Sequence, residues 1–274
     1  MRLATLALLV PALLAAGCSQ PVPADPEPEG PPGPVAPEIA GPVFAGPMTA
    51  DPVYDAATLV GAMAERYPDW YRTLSFTQRT SRRLPDGRVA VETWREWAAL
   101  PGRLRIEMDD PMEGLDALFV GDSTYLYRDG ELAAVRPDRN GLLLWGFDAY
   151  TQPAAETLRI AEAEGVDLSA FREDVWQGRL AYVLGRPETG EVWVEKDRLL
   201  FVRLVEPGPG GALQDVRFLE YEPLAEAWIA PRVEVWVGGD LVFWEDYSDV
   251  EADVELDPVL FDPRRWAEGV AASE

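Results

Sequence analysis

The chain has 274 residues, 48 of them acidic and 24 basic, a formal charge of −24 at neutral pH. That balance repels nucleic acid and anionic headgroups, so no nucleic-acid partner is expected. Histidine is absent and there is a single cysteine, which excludes Ser-His-Asp triads, histidine metal sites and cysteine–zinc clusters.

The opening MRLATLALLVPALLAAGC carries one positive charge at Arg2, then an apolar run from Leu3 to Ala16. The run is shorter than the about 20 residues a spanning helix needs, and its flanks are those of a secretory signal. Small residues followed by Cys18 look like a lipobox, with cleavage after residue 17 and acylation of the thiol. Ala15 stands where Leu, Val or Ile is usual. Acylation explains why the cysteine has no partner, and several acyl chains together anchor a protein firmly. In bacteria that sort lipoproteins by the next residue, Ser19 favours the outer membrane over the inner. Eleven of the chain's 25 prolines then fall between Pro21 and Pro52. Residues 18–50 are therefore expected to form an extended tether. The predicted layout is a signal peptide over 1–17, the tether, one folded domain over 51–266, and a short tail over 267–274.

From Asp51 the pattern changes. Asp51 as N-cap and Pro52 at the first helical position predict a helix whose apolar face is Ala56, Leu59, Val60, Met63, Ala64 and Tyr67, ending at Pro68. Strand-like runs follow: YRTLSFTQRTSRR, RVAVETWREWAA and RLRIEM, with turns at Pro85–Arg88 and Pro101-Gly102. ALFVGDSTYLYRDGELAAV adds turns at Gly121-Asp122 and Asp129-Gly130. GLLLWGFDAYTQPAAETLRIAEAEGVDLSAF is a non-strand interlude whose second half is helical, between Pro153 and Gly165. Strands then resume from AYVLG to the end of YSDVEADVEL. About eleven strands with hairpin-length links and no βαβ rhythm predict an α+β, mainly β, single-domain fold built on one antiparallel sheet.

Two strand faces combine tryptophan with charge. Trp193 lies between Glu191 and Glu195, and Trp236 shares a face with Arg232 and Glu234. Such faces serve as a second apolar surface or as packing beneath loops. Carboxylates at Asp109-Asp110, Glu245-Asp246 and along Asp249, Glu251, Asp253 and Glu255 are the remaining chemistry. The last four, alternating, are expected on one solvated strand face rather than around a metal. No glycine-rich phosphate loop lies between a strand and a helix. Neither catalysis nor a cofactor is expected.

The order of elements resembles the LolA/LolB superfamily of periplasmic lipoprotein carriers and receptors. The resemblance rests on F-x-Q at Phe76–Gln78, the turn Asp86-Gly87, Trp94 and Trp97, Pro101 before RLRIEM, Asp110-Pro111, FVGDSTYLYRDGE, and the closing YSDVEADVELDPVLFDP. It implies a strongly curved, open half-barrel with a leading helix and a helical lid over an apolar cavity of several hundred Å3. Phe76, Leu104, Ile106, Phe119, Phe201, Val233, Val235 and Phe243 would line it, with Trp145 and Phe147 in the lid. The ligand implied is the acyl chain of a lipid or lipoprotein, bound by a membrane-anchored monomer in the periplasm. Soluble carriers of the superfamily have arginine at the place of Leu100, and this departure, with the anchor, fits a receptor better than a shuttle. A rival reading is an interaction or sensing module with a filled cavity and an exposed tryptophan patch around Trp193, Trp236 and Trp244.

Overall fold

A computed structural model describes residues 53–108 and 115–273, so Cys18, the signal segment, the proline-rich stretch, Asp51-Pro52 and Asp109-Asp110 lie outside the described residues. The leading helix α1 is Ala56–Arg66. It begins one turn later than Asp51 and Pro52 predict. The cap is Asp55, whose side chain accepts the Thr58 N–H at 2.8 Å while Thr58 Oγ1 accepts the Asp55 N–H at 3.1 Å. This reciprocal box closes two otherwise unmet donors. Of the predicted face, Ala56, Leu59, Val60 and Met63 are buried, as is Tyr67 just beyond the helix, while Ala64 is half-buried at its margin.

The N-terminal half of the sheet is a meander. Its strands are β1 (Thr73–Arg83), β2 (Val89–Ala99), β3 (Arg103–Met108), β4 (Asp116–Val120), β5 (Ser123–Arg128) and β6 (Glu131–Arg136). The interlude comprises α2 (Gly141–Gly146), a 3-10 turn at Asp148–Tyr150, and α3 (Ala154–Ala163). The second half runs through β7 (Phe171–Trp176), β8 (Arg179–Arg186), β9 (Gly190–Glu195), β10 (Leu200–Pro207) and β11 (Leu213–Leu219). A small hairpin of β12 (Glu222–Leu224) and β13 (Ala227–Ile229) precedes β14 (Arg232–Val237) and the long β15 (Asp240–Ala252). Chain order ends with a 3-10 turn at Pro258–Phe261 and α4 (Trp266–Ser273).

Thirteen strands form one open antiparallel sheet in the order β6-β5-β4-β3-β2-β1-β15-β14-β11-β10-β9-β8-β7, and β12 and β13 pair separately. The two halves meet where β1 pairs with β15, Leu74 opposite Ala252 and Arg82 opposite Phe243. The sheet leaves β6 and β7 as its edges, and the interlude α2–α3 is the segment that connects them. It therefore crosses from one rim of the half-barrel to the other.

Two expectations are corrected. The sheet has thirteen strands rather than about eleven, in part because the exposed edge strand β7 escapes a reading by alternation. The acidic run does not form one strand face either. Asp249 and Asp253 take left-handed backbone conformations (φ 51° and 54°), β15 ends at Ala252, and Asp253 accepts the backbone N–H of Arg72. Among the described residues no group of three or more acidic side chains is placed to hold a metal ion.

The principal core lies between the concave face and α1, α2 and α3. The opposite face carries two smaller clusters. One is Trp97, Leu118 and Tyr127 under Leu260, Phe261 and Trp266 of the C-terminal segment. At its centre Arg105 is 0% exposed and donates to Glu107 at 2.6 Å, Leu260 O at 3.1 Å and Trp266 O at 3.2 Å. The other joins Trp193 to Ala181, Val183 and Val202. No helix among the described residues is long and apolar enough to cross a membrane.

Candidate functional site

A cavity of about 90 Å3 opens between the N-terminal half of the sheet and the start of the interlude. Strand alternation supplies its wall. Leu74, Phe76 and Gln78 project from β1, Trp94, Glu96 and Ala98 from β2, Leu104 and Ile106 from β3, and Phe243, Glu245 and Tyr247 from β15. The F-x-Q pair thus points both side chains into one space. Opposite them stand Asp138, Arg139, Asn140, Leu142, Leu143 and Phe147.

Of the sequence-predicted lining, Phe76, Leu104, Ile106, Phe119 and Phe243 border this cavity, and so does the predicted lid residue Phe147. Phe201, Val233, Val235 and Trp145 do not; they are buried in the solid part of the core. The reason is the seating of α2, which rests on β10 of the C-terminal half. Gly146 makes the approach possible, since a methyl group there would come within 3.1 Å of the Phe218 ring. Phe218 in turn packs edge-on against Phe201, 5.0 Å between centroids. The cavity is consequently far smaller than the several hundred Å3 the resemblance implies. Leu100, at the place of the carriers' arginine, is buried in the core.

The interlude is capped at its start and tied to the sheet at two points. Asn140 Oδ1 accepts the N–H groups of Leu142 and Leu143, capping α2. Asp148, 1% exposed, accepts the Gly102 N–H at 2.9 Å and so ties the interlude to the turn between β2 and β3. Burial pushes its carboxyl up to about 7, against the pull of that N–H and of Arg139. Tyr150 donates to Leu199 O at 3.1 Å and accepts the Phe201 N–H at 2.7 Å.

The sequence reading names Glu245 and Gln78 without placing them inside, and it misses Glu96. Glu245 is buried, accepts the Tyr247 hydroxyl at 2.7 Å, and is pushed up to about 7 by burial. Glu96 is 4% exposed, and burial followed by the nearby Glu245 pushes its carboxyl well above the usual range. Gln78 is buried and donates to Thr80 at 2.7 Å. The signal was available in the period of two: counting on from Phe243 places Glu245 and Tyr247 inside and Asp246 outside. Asp246 indeed pairs with Arg232 at 2.7 Å.

The tryptophan-and-charge faces have a structural explanation. In three E-x-W triplets the indole N–H donates to the glutamate two residues earlier: Trp193 to Glu191 at 3.0 Å, Trp236 to Glu234 at 3.0 Å, and Trp94 to Glu92 at 3.2 Å. Arginines from neighbouring strands cover the rings. Arg203 lies 4.9 Å from Trp193 and 4.4 Å from Trp176, and Arg217 lies 4.3 Å from Trp236. Trp193 is 6% exposed, while Trp236 and Trp244 are half-buried. Trp193 and Trp236 thus sit between arginines and carboxylates rather than in a bare aromatic patch.

No family model matches the chain, and no curated protein matches it. Solved structures do. A DUF1329 family protein from Desulfovibrio piger overlays 76% of this chain and 95% of its own, with 18% identity and a TM-score of 0.52. A putative outer membrane lipoprotein-sorting protein domain from Vibrio parahaemolyticus covers 76% and 96%, with 13% identity and a TM-score of 0.53. A LolA superfamily protein from Nitrosomonas europaea covers 77% and 98%, with 14% identity and a TM-score of 0.49. The first two overlays show that the fold is shared with these proteins: one open antiparallel sheet with helices packed on one face.

Proposed function

We propose that this chain is an envelope lipoprotein, anchored through acylated Cys18 to the outer membrane, whose half-barrel binds an acyl chain of a lipid or lipoprotein without catalysis. The single observation that carries the reading is the cavity walled by Phe76, Ile106, Phe119 and Phe243 beneath a helical segment that joins the two sheet edges. Apolar walls replace the bilayer around a hydrocarbon chain, and a mobile cover admits and releases it. The fold shared with a lipoprotein-sorting domain supports the same role. At about 90 Å3 the cavity takes only the end of a chain in this form, so loading requires Phe147 and Leu142 to swing away from the sheet. The domain is proposed to act as a monomer at the end of its tether. The interaction-platform reading is the weaker one, because two of its three tryptophans, Trp193 and Trp236, are covered by arginine side chains.

Native mass spectrometry of the full-length protein, before and after organic extraction, tests the reading. Bound species in the lipid mass range that disappear on extraction are expected. A clean apo mass together with no uptake of a fluorescent fatty acid would overturn it.

A further inference from the structure

Resting on the reading of this cavity as a ligand site, we propose that its ligand carries a basic nitrogen. In the simplest case this is an alkylamine, its ammonium group held between Glu96 and Glu245 and its first carbons among Phe76, Ile106 and Phe243. The two carboxyls flank β1 from opposite sides, Glu96 on β2 across from Phe76 and Glu245 on β15 across from Thr80. Both border the cavity.

Glu96 is the telling group. It is more than nine-tenths buried, faces the cavity, and among the described residues makes no hydrogen bond and no ion pair. A carboxyl withdrawn from water without a partner is costly to the fold, and such a group in a cleft marks a site. The influences on it are burial and Glu245 alone; Arg139, the cationic residue of the lining, acts on neither carboxyl. The remaining polar groups, Gln78 and Tyr247, already donate to Thr80 and Glu245. What the site lacks is a donor with positive charge.

Chemistry then separates the possible ligands. A fatty acid entering head first adds a third carboxyl, and entering tail first it sets a methyl group against two desolvated acids. An alcohol offers one donor and leaves the negative charge unanswered. An ammonium offers three donors and one charge, and with Glu245 ionised and Glu96 protonated the assembly is neutral. The cavity, room for about three waters at roughly 30 Å3 each, admits the nitrogen and the carbons next to it. The rest of the chain passes beneath Phe147.

The test is isothermal titration calorimetry of the full-length protein with decylamine, decanol and decanoate at pH 7, below their micelle concentrations. Because the protein carries a charge of −24, the series is repeated in 1 M NaCl, which screens surface attraction. Decylamine is expected to bind at least tenfold tighter than decanol in both salts, with decanoate weakest. In the double variant E96Q/E245Q that preference should be lost, decylamine binding no tighter than decanol. Equal affinities for all three overturn the inference and leave the acyl-chain reading standing. No binding of any of the three overturns both. A preference that vanishes in salt, or survives in E96Q/E245Q, assigns decylamine to the acidic surface and overturns the inference. Should E96Q/E245Q fail to fold, the wild-type series in high salt decides alone.

Discussion

Trp70 and Tyr150 stack face to face, 3.9 Å between ring centroids and 7° from parallel. Trp70 follows the leading helix and Tyr150 lies in the interlude, so the stack joins the two elements that cover the sheet. The tyrosine hydroxyl then reaches β10 through Leu199 O and the Phe201 N–H. Trp70→Ala removes the stack from a buried site and is expected to cost about 3–5 kcal/mol. Tyr150→Phe keeps the stack but orphans the Phe201 N–H, costing about 1–3 kcal/mol. Thermal unfolding should show roughly 2–4 °C for each kcal/mol, with the Trp70 variant the lower.

Arg105 is expected to behave as the fastening of the C-terminal helix. Its guanidinium lies 3.5 Å from the centre of the Trp266 ring while donating to two carbonyls of that segment. Arg105→Met leaves Glu107 buried without its principal cation, a loss of about 3–5 kcal/mol. Hydrogen exchange should then rise over residues 258–269 before it rises in β10 or β14. Gly269→Ala acts from the other side, since its methyl group would collide with the same guanidinium. Unchanged protection over 258–269 in both variants would refute the fastening.

Stability should fall as pH rises from 5 to 8. Burial raises Asp148 from 3.8 and Glu245 from 4.5, each to about 7, and raises Glu96 well above 4.5. The folded chain therefore holds protons that the unfolded chain has released. Between about pH 4 and 7 it binds more of them, so the free energy of unfolding decreases with pH across that window. The melting temperature is expected to be higher at pH 5 than at pH 8 by several degrees. Asp148→Asn retains an acceptor for the Gly102 N–H and should flatten the profile; a profile as steep as the parent's would clear Asp148 of the effect.

Phe147→Ala tests the cover directly. Removing the ring widens the opening beside Leu142 and Leu143 without touching the sheet. Uptake of Nile red, a neutral apolar dye, should become faster and at least as tight as in the parent, whereas Phe201→Ala, buried away from the cavity, should lower stability and leave the uptake rate unchanged.

Local chemistry made much of this legible before any coordinates. The turns at Gly121-Asp122 and Asp129-Gly130 fall between β4, β5 and β6 as read, and the buried stripe of α1 follows its helical spacing. The FREDVW of β7 was not legible, because an edge strand pairs on one side only and exposes four consecutive positions. Its strand state comes from pairing with β8. The lining divided for a related reason. Alternation tells which face of a strand is covered, and Phe201 and Phe243 are equally buried by that rule. What covers them, α2 in one case and the cavity in the other, depends on where the interlude lands. Glu245 stands out in the sequence only as half of an acidic pair and Glu96 not at all, because, among 48 acids, an inward-facing one is visible only when the strand period is followed through it.

The pairing of β1 with β15 brings the first strand of the domain beside the last. Its contacts close the largest loop the sheet contains, and loop closure of that length comes late and slowly in folding. Phe76 and Gln78 from one end of the chain and Glu245 and Tyr247 from the other can share a pocket only after that closure. A chain still being synthesised lacks one wall of the cavity until residues 240–252 have followed. The cavity is therefore a product of the completed fold, and no N-terminal fragment can carry it.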